Sequence, residues 1–307
     1  MTKILLTGGT GYIGSQLCKK LVNDQNIVAV IKRKSSKTES IKEIYDRLTV
    51  FNYDNDYSSI NNALFSFNPD IVIHLASYQV YKHETEDINK ILDSNIALGV
   101  YLLESMKENN IKYFINTETF WQNYKDEPYN PVCLYAASKK AFKDLLKYYT
   151  EMKIIKSISL KLFDTFGSND PRKKIFNQIN DHIVSKKEVM DMSHGEQLIN
   201  IVHIDDIIEA YGISIDRLTK LDGNYLEDYD IRSSENIKLK TLVNSYINFF
   251  DNKLIINWGG RPYREREIMN PAFLGKVLPG WSPKVELEEG LKSLANEFLK
   301  VQFGHNN

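Results

Sequence analysis

A strand-like run at the start of the chain, Lys3 to Leu6, leads directly into Gly8-Gly9-Thr10-Gly11-Tyr12-Ile13-Gly14. Glycines at 8, 11 and 14, set between an apolar strand and an amphipathic helix, constrain the fold more than any other feature of the sequence. The first glycine permits a tight turn, the second lets a pyrophosphate approach the backbone, and the third lets the helix pack on the strand. The helix N-terminus then offers free N–H groups and a partial positive charge to an anion. Gly8, Gly11, Tyr12, Ile13 and Gly14 are the expected cradle of a dinucleotide cofactor.

Apolar runs of strand length alternate with helical patterns through the rest of the first two-thirds. Strands are expected at 27–32, 48–51, 71–75, 112–116 and 157–162. Helices are expected at 12–23, near 40–46, and at 57–67, 87–109 and 135–152. Continuous Val/Ile/Leu runs bounded by helices mark strands buried on both faces, hence a parallel sheet. The fold class expected is α/β, a doubly wound (Rossmann) sheet with a smaller C-terminal substrate lobe. After Gly167 the rhythm breaks into short elements among Pro, Gly and charged loops. The dinucleotide-binding domain is read as 1–167, and 199–232 as returning to it, with segments 199–210 and Leu226–Ile231 rejoining the main sheet. The remaining segments, 168–198 and 233–307, form the lobe.

With a net charge of -1 in 307 residues, there is no cationic excess of the kind nucleic-acid binding requires. No apolar run is long enough to cross a bilayer. Cys18 and Cys133 make no disulfide framework and show no metal-ligand spacing, so no metal is expected. A strand beginning at Lys3 leaves no room for a signal peptide, and a cytoplasmic location is expected.

The second strand should end in the residue that reads the adenosine ribose: an acid for NAD, a cation for the 2′-phosphate of NADP. Here the run is Lys32-Arg33-Lys34-Ser35-Ser36, with no acid, and NADP is expected, with NAD as the alternative. Further on, Tyr135 and Lys139 stand four apart on a helix and share a face. An ammonium beside a phenol favours the phenolate, so Lys139 is expected to lower the pKa of Tyr135. Thr117, at the carboxyl end of the fifth strand, can hold the reacting oxygen.

The segment 7–14, His74-Leu75-Ala76, Asn95, Thr117, Tyr135/Lys139 and Val202-His203-Ile204-Asp205-Asp206 together resemble the extended short-chain dehydrogenase/reductases. That family includes nucleotide-sugar epimerases, 4,6-dehydratases and 4-ketoreductases. The stretches 114–119, 264–269 and 280–283 are most similar to its CDP-abequose/paratose synthase branch, which reduces a 4-keto-6-deoxyhexose. The resemblance implies that Tyr135 exchanges a proton with the sugar C4 oxygen and that Thr117 hydrogen-bonds the same oxygen. It implies too that Lys139 binds the nicotinamide ribose. Tyr53, Asp54, Leu75 and Ala76 complete the expected cofactor contacts. Glu118, Thr119, Asp164, Arg172 and Arg264 are the expected substrate side, Arg264 gripping the diphosphate. Asn95 supports the sheet and the active-site loop, while Asp205 and Asp206 cap a helix and anchor the lobes. A homodimer through the two long helices is implied as well.

Departures from the family pattern separate the chemistries. Dehydratases carry Thr-Asp-Glu where this chain has Thr117-Glu118-Thr119, so the second acid of an elimination is missing. A net reductase draws on exchangeable NADPH, whereas an epimerase keeps NAD bound. The acid-free 32–36 run therefore favours a reductase, with an NAD-dependent 4-epimerase as rival and a non-catalytic dinucleotide sensor or scaffold as a third reading. Gly195-Glu196-Gln197-Leu198-Ile199-Asn200 stands where the family usually has Arg-Asp after the glycine-containing turn, and Asp164 replaces an Asn close to the expected diphosphate. Tyr78, Tyr81 and His83 lie on the loop after the fourth strand, over the expected site.

Overall fold

The computed structural model describes residues 1–221, 225–250 and 254–304; the parts of the expected segments at 222–224, 251–253 and 305–307 lie outside the described residues. Its centre is an eight-stranded parallel sheet. β1 (Lys3–Thr7) carries β2 (Ile27–Arg33) and then β3 (Leu48–Tyr53) on one side. On the other side lie β4 (Ile71–His74), β5 (Tyr113–Thr119) and β6 (Lys156–Leu162), in that order. The strand order reverses between β1 and β4, which opens a crevice at their carboxyl ends.

Side-chain alternation gives the sheet two different faces. Ile4, Leu6, Ile73, Ile115 and Leu160 pack towards α1 (Tyr12–Asn23). Leu5, Ala29, Val72 and Phe114 pack towards α2 (Tyr57–Phe67) and the helices of 87–151. The expected single helix 87–109 is three pieces: α3 (Asp87–Leu92), a π-type turn (Asp93–Ala97) and α4 (Leu98–Glu108). The wide turn buries Asn95, whose amide accepts from the Tyr78 N–H (2.7 Å) and donates to Tyr78 O (3.1 Å) and Ser138 Oγ (2.9 Å). Asn95 thus ties the loop after β4 to α5 (Leu134–Glu151). The segment near 40–46 is a 3₁₀ helix, Glu39–Arg47.

Beyond β6 the chain forms β7 (Asp164–Phe166), α6 (Ile175–Val184), β8 (Val189–Met192), β9 (Leu198–Ile199), β10 (Ile201–His203) and α7 (Ile204–Leu218). The expectation that 199–210 rejoins the main sheet is corrected here. β10 pairs with β7 in a separate two-stranded ribbon, β9 pairs with β12 (Ile237–Lys238), and only α7 returns, against α1. Asn200, between the two short strands, is fully buried and holds this arrangement. Its amide donates to Ser233 O (3.1 Å) and Glu235 O (3.2 Å) and accepts from the Ser233 N–H (2.9 Å), clipping β9–β10 to the 233–236 turn.

β11 (Leu226–Ile231) does join the sheet beside β6. After it come α8 (Leu239–Ile247), β13 (Ile255–Trp258), β14 (Lys276–Val277) and α9 (Leu287–Phe303). β14 is the eighth strand of the main sheet, although its sequence falls inside the expected 233–307 lobe. A third apolar core gathers Phe166, Phe176, Met190, Leu242, Tyr246 and Leu291. Asp206 on α7 accepts the Lys284 N–H (2.9 Å) and Val285 N–H (3.2 Å), and its carbonyl accepts the Trp281 indole (2.8 Å). Asp205 is exposed; its N–H donates to His203 Nδ1 (3.3 Å), and its carboxylate lies 3.5 Å from the same nitrogen.

A methyl group added at Gly14 would lie 2.1 Å from the Gly8 carbonyl oxygen; one at Gly11 would meet only that same oxygen, at 3.3 Å. Gly14→Ala should therefore lower the unfolding free energy by on the order of 3 kcal/mol. Gly11→Ala, at a helix N-cap with φ -79°, should change it by less than about 1 kcal/mol. Thermal melts of the two variants in the absence of ligand test the contrast.

Candidate active site

The glycine turn sits at the strand-order reversal. Gly8 has φ +74°, and its own added methyl group would strike the Ala76 N at 2.6 Å, so the turn is pressed against the end of β4. The Gly11 N–H returns to Gly8 O (3.0 Å), and α1 starts with no side-chain cap. Its first-turn N–H groups face a cavity of about 500 Å³ lined by Gly8, Gly11, Tyr12, Ile13 and Gly14, with Leu75 and Ala76 opposite. An open methyl position at Gly11 beside an uncapped helix N-terminus is the surface a diphosphate requires. These residues fit a dinucleotide.

At the far end the cavity wall contains Lys32, Arg33, Ser36 and Tyr53. Arg33 donates to Ser94 Oγ from the π-type turn. Lys34 and Asp54 stand off the wall and pair with each other (2.9 Å). Of the three cations in the 32–36 run, two therefore face the cavity.

β5 extends to Thr119, three residues past its expected end, and alternation sends its side chains to opposite faces. Thr117 and Thr119 line the cavity. The Glu118 carboxylate is buried on the α5 side, where Lys143 Nζ reaches it at 3.0 Å and reaches Asp228 at 2.9 Å. Glu118 touches the cavity wall but its charge is committed to Lys143. Tyr135, in the first turn of α5, also lines the cavity, its ring edge-on to Trp121 (centroids 6.1 Å apart).

The expected pKa effect is reversed. Burial pushes the Tyr135 phenol up to about 12, and hydrogen bonds from Ser77 and Thr119 only partly oppose this. Lys139 is 2 % exposed, lies behind the wall, and is itself lowered by burial to about 8, with Glu118 opposing. Sequence spacing reports that two groups share a face; it does not report how much water that face retains. His74, hydrogen-bonded to Thr7 Oγ1 (2.7 Å), is held far below its ordinary pKa by burial and then by Lys139, and stays neutral.

A second cavity, also about 500 Å³, adjoins the first; Trp121, Asp164 and Arg172 line both. Arg172 is forked onto Asp170 (2.6–3.0 Å) and lies over the Tyr12 ring. The Asp164 carboxylate, a feature unfavourable to a diphosphate, is met by Lys174 at 3.1 Å. Arg264 lines the second cavity beside Arg261 and Arg266, with its guanidinium over the Tyr81 ring. Ile199 also lines this cavity, as do three arginines of the 261–266 loop. Tyr78 is tied to Asp87 (2.8 Å), and His83 is exposed. Ser77, Trp121 and Tyr211 join the site without a motif that marks them in the sequence. Tyr211 bonds Thr117 Oγ1 at 2.7 Å from 94 residues away, and its only sequence signal is the buried stripe of α7. Among the described residues no group of three or more His, Cys, Asp or Glu could hold a metal, and no helix is long and apolar enough to cross a membrane.

Residues 4–226 match the NAD dependent epimerase/dehydratase family. A CDP-abequose synthase of Yersinia pseudotuberculosis is 33% identical over 277 residues, 88% of this chain and 92% of that protein. A CDP-abequose synthase of Salmonella muenchen is 27% identical over 297 residues, 95% and 96% of the two chains. In fold, a UDP-glucose 4-epimerase of Thermus thermophilus, solved in complex with NAD, gives a TM-score of 0.80 at 22% identity, covering 96% of this chain and 98% of its own.

Lys139 generates a stability prediction. Its folded-state pKa of about 8 lies below the ordinary 10.5, so the unfolded chain binds more protons across that window and stability rises with pH through it. Below the window the penalty is complete. Lys139→Met should raise the unfolding free energy at pH 7 by on the order of 2–3 kcal/mol and remove that rise. Melting temperatures measured at pH 7 and in the alkaline range read both effects.

Proposed function

Since the chain belongs to the NAD dependent epimerase/dehydratase family, we propose that it is an NADPH-dependent reductase of a nucleotide-linked 4-keto-6-deoxyhexose, acting at C4. The observation that carries this reading is the acid-free end of the first cavity, whose wall contains Lys32, Arg33 and Ser36, two cations and a hydroxyl that suit a ribose 2′-phosphate. A guanidinium there accepts a phosphate in fork geometry, which a 2′-hydroxyl cannot exploit.

A reduced nicotinamide, when bound, supplies the hydride. The chain's own residues do the rest. The Gly11–Gly14 turn holds the diphosphate through backbone N–H groups. Tyr135, a phenol kept protonated by burial, gives its proton to the C4 oxygen. Thr117 hydrogen-bonds the same oxygen; Lys139, the residue expected on the nicotinamide ribose, stands behind the cavity wall and does not line it. Thr119, Asp164, Arg172 and Arg264 bind the sugar nucleotide, whose diphosphate meets the cations of the second cavity. Elimination of water finds no acid here, because Glu118 turns away to Lys143 and residue 119 is a hydroxyl. The CDP-abequose synthases related to the chain support the 4-keto-sugar class of substrate. A homodimer through α3–α5 agrees with the exposed Ile88, Leu92, Leu145 and Tyr148.

Fluorescence titration should give tighter binding of NADPH than of NADH, with no cofactor retained through purification. Arg33→Ala should weaken NADPH binding by about tenfold or more, the worth of one charge-assisted contact, and leave NADH within about threefold. Retained NAD, or equal loss for both cofactors, would instead put the 4-epimerase reading first.

A further inference from the structure

The Thr117 hydroxyl is held from behind. On the face of β5 opposite Glu118, its Oγ1 lies 2.7 Å from the hydroxyl of Tyr211, a side chain of α7 that is 0% exposed. Among the described residues this is the only hydrogen bond of the Tyr211 hydroxyl, and the only one of Thr117 Oγ1. Thr117 also forms part of the wall of the first cavity, as does Tyr135.

Distance alone leaves either oxygen as donor, but hydrogen-bond accounting decides between them. A phenol brings one O–H that, once buried, needs an acceptor. If Thr117 donated to Tyr211, the Tyr211 O–H would point into packed protein with none. If Tyr211 donates, its O–H is satisfied, and the Thr117 hydrogen turns to the one open direction it has, the cavity. Burial holds the Tyr211 phenol well above its ordinary pKa, so it remains a donor at every working pH.

We propose that Tyr211 is a positioning residue that accepts nothing from Thr117 but donates to it, fixing the Thr117 hydroxyl as a hydrogen-bond donor aimed into the cavity. The consequence for ligand choice rests on the reading of the site as a C4 reductase. Thr117 and Tyr135 then present two O–H donors to one oxygen. A ketone oxygen has two lone pairs and no hydrogen, and accepts both. An alcohol at the same place brings a further O–H, which must find its acceptor in a lone pair of one of these same oxygens. The pair is therefore matched to a carbonyl, and more strongly to the negative charge that grows on its oxygen during reduction.

Two cycles on the same variants, Tyr211→Phe, Thr117→Val and the double substitution, test this. The first needs no substrate. Thr117→Val should lower the melting temperature by about 3–6 °C, because the Tyr211 O–H loses its acceptor, and adding Tyr211→Phe should recover most of that loss. A rise in melting temperature on Tyr211→Phe alone would mean the buried phenol O–H was already unpaired, and would overturn the assignment. The second cycle is kinetic, with a nucleotide-linked 4-keto-6-deoxyhexose. Tyr211→Phe should lower kcat by about tenfold with KM within about threefold, and should have no further effect once Thr117 is Val. Losses that add across the two sites would show that Tyr211 acts through packing, and would also overturn it. An intact thermal cycle in a parent that turns over no 4-keto sugar would reject the reductase reading and leave the hydroxyl arrangement standing.

Discussion

The structure depends on one backbone contact, the approach of the Gly8 carbonyl to the α carbon of Gly14. A side chain at position 14 would begin 2.1 Å from that oxygen, and one at Gly8 would begin 2.6 Å from the Ala76 nitrogen. Interiors are packed densely enough that such a conflict cannot be absorbed by small shifts of neighbours. Hydrogen at both positions lets α1 lie directly on β1 and lets the turn between them touch the end of β4. The N-terminus of α1 is thereby aimed into the crevice where the strand order reverses. A helix N-terminus open to the cavity is the geometric result of that packing, and the ends of β2, β4 and β5 bound the rest of that cavity.

The second constraint is the two-residue period of β5. Thr117 and Thr119 face the cavity side because Glu118, between them, faces α5. The carboxylate at position 118 is thus directed to the α5 side and paired with Lys143, which Asp228 also meets. The same alternation makes Thr117 a neighbour of Tyr211 on α7, so the hydroxyl in the cavity wall and the acid paired with Lys143 are fixed by one strand register.

What could be read in the sequence was local. The glycine turn, the strand-helix alternation, the NAD dependent epimerase/dehydratase resemblance and the bracing role of Asn95 all rest on residues close in the chain or on repeated periods. What could not be read was set by distant packing. The Tyr211–Thr117 bond spans 94 residues, β14 enters the sheet from inside the expected lobe, and Asn200 diverts 199–203 into a ribbon through contacts with 233–236. The helix 87–109 hides a π-type turn because its apolar period barely changes when one turn widens. The sign of the Tyr135 shift is hidden for a similar reason. The four-residue spacing to Lys139 is visible in the sequence, whereas the loss of water around both groups belongs to the folded protein.

That loss of water also explains how the charges under the cavity can coexist. Lys139, His74, Glu118 and Lys143 are all drawn from the interface between α5 and the sheet, where an unpaired charge is expensive. His74 meets the constraint by staying neutral, its Nδ1 tied to Thr7. Glu118 and Lys143 meet it as a pair. Lys139 meets it only in part: the Glu118 charge that would favour its ammonium is already shared with Lys143, and burial outweighs what remains. The α5 face of the sheet therefore holds a cation whose pKa burial has lowered behind a phenol whose pKa burial has raised, so the two groups that the four-residue spacing brings together are pushed in opposite directions by the same loss of water.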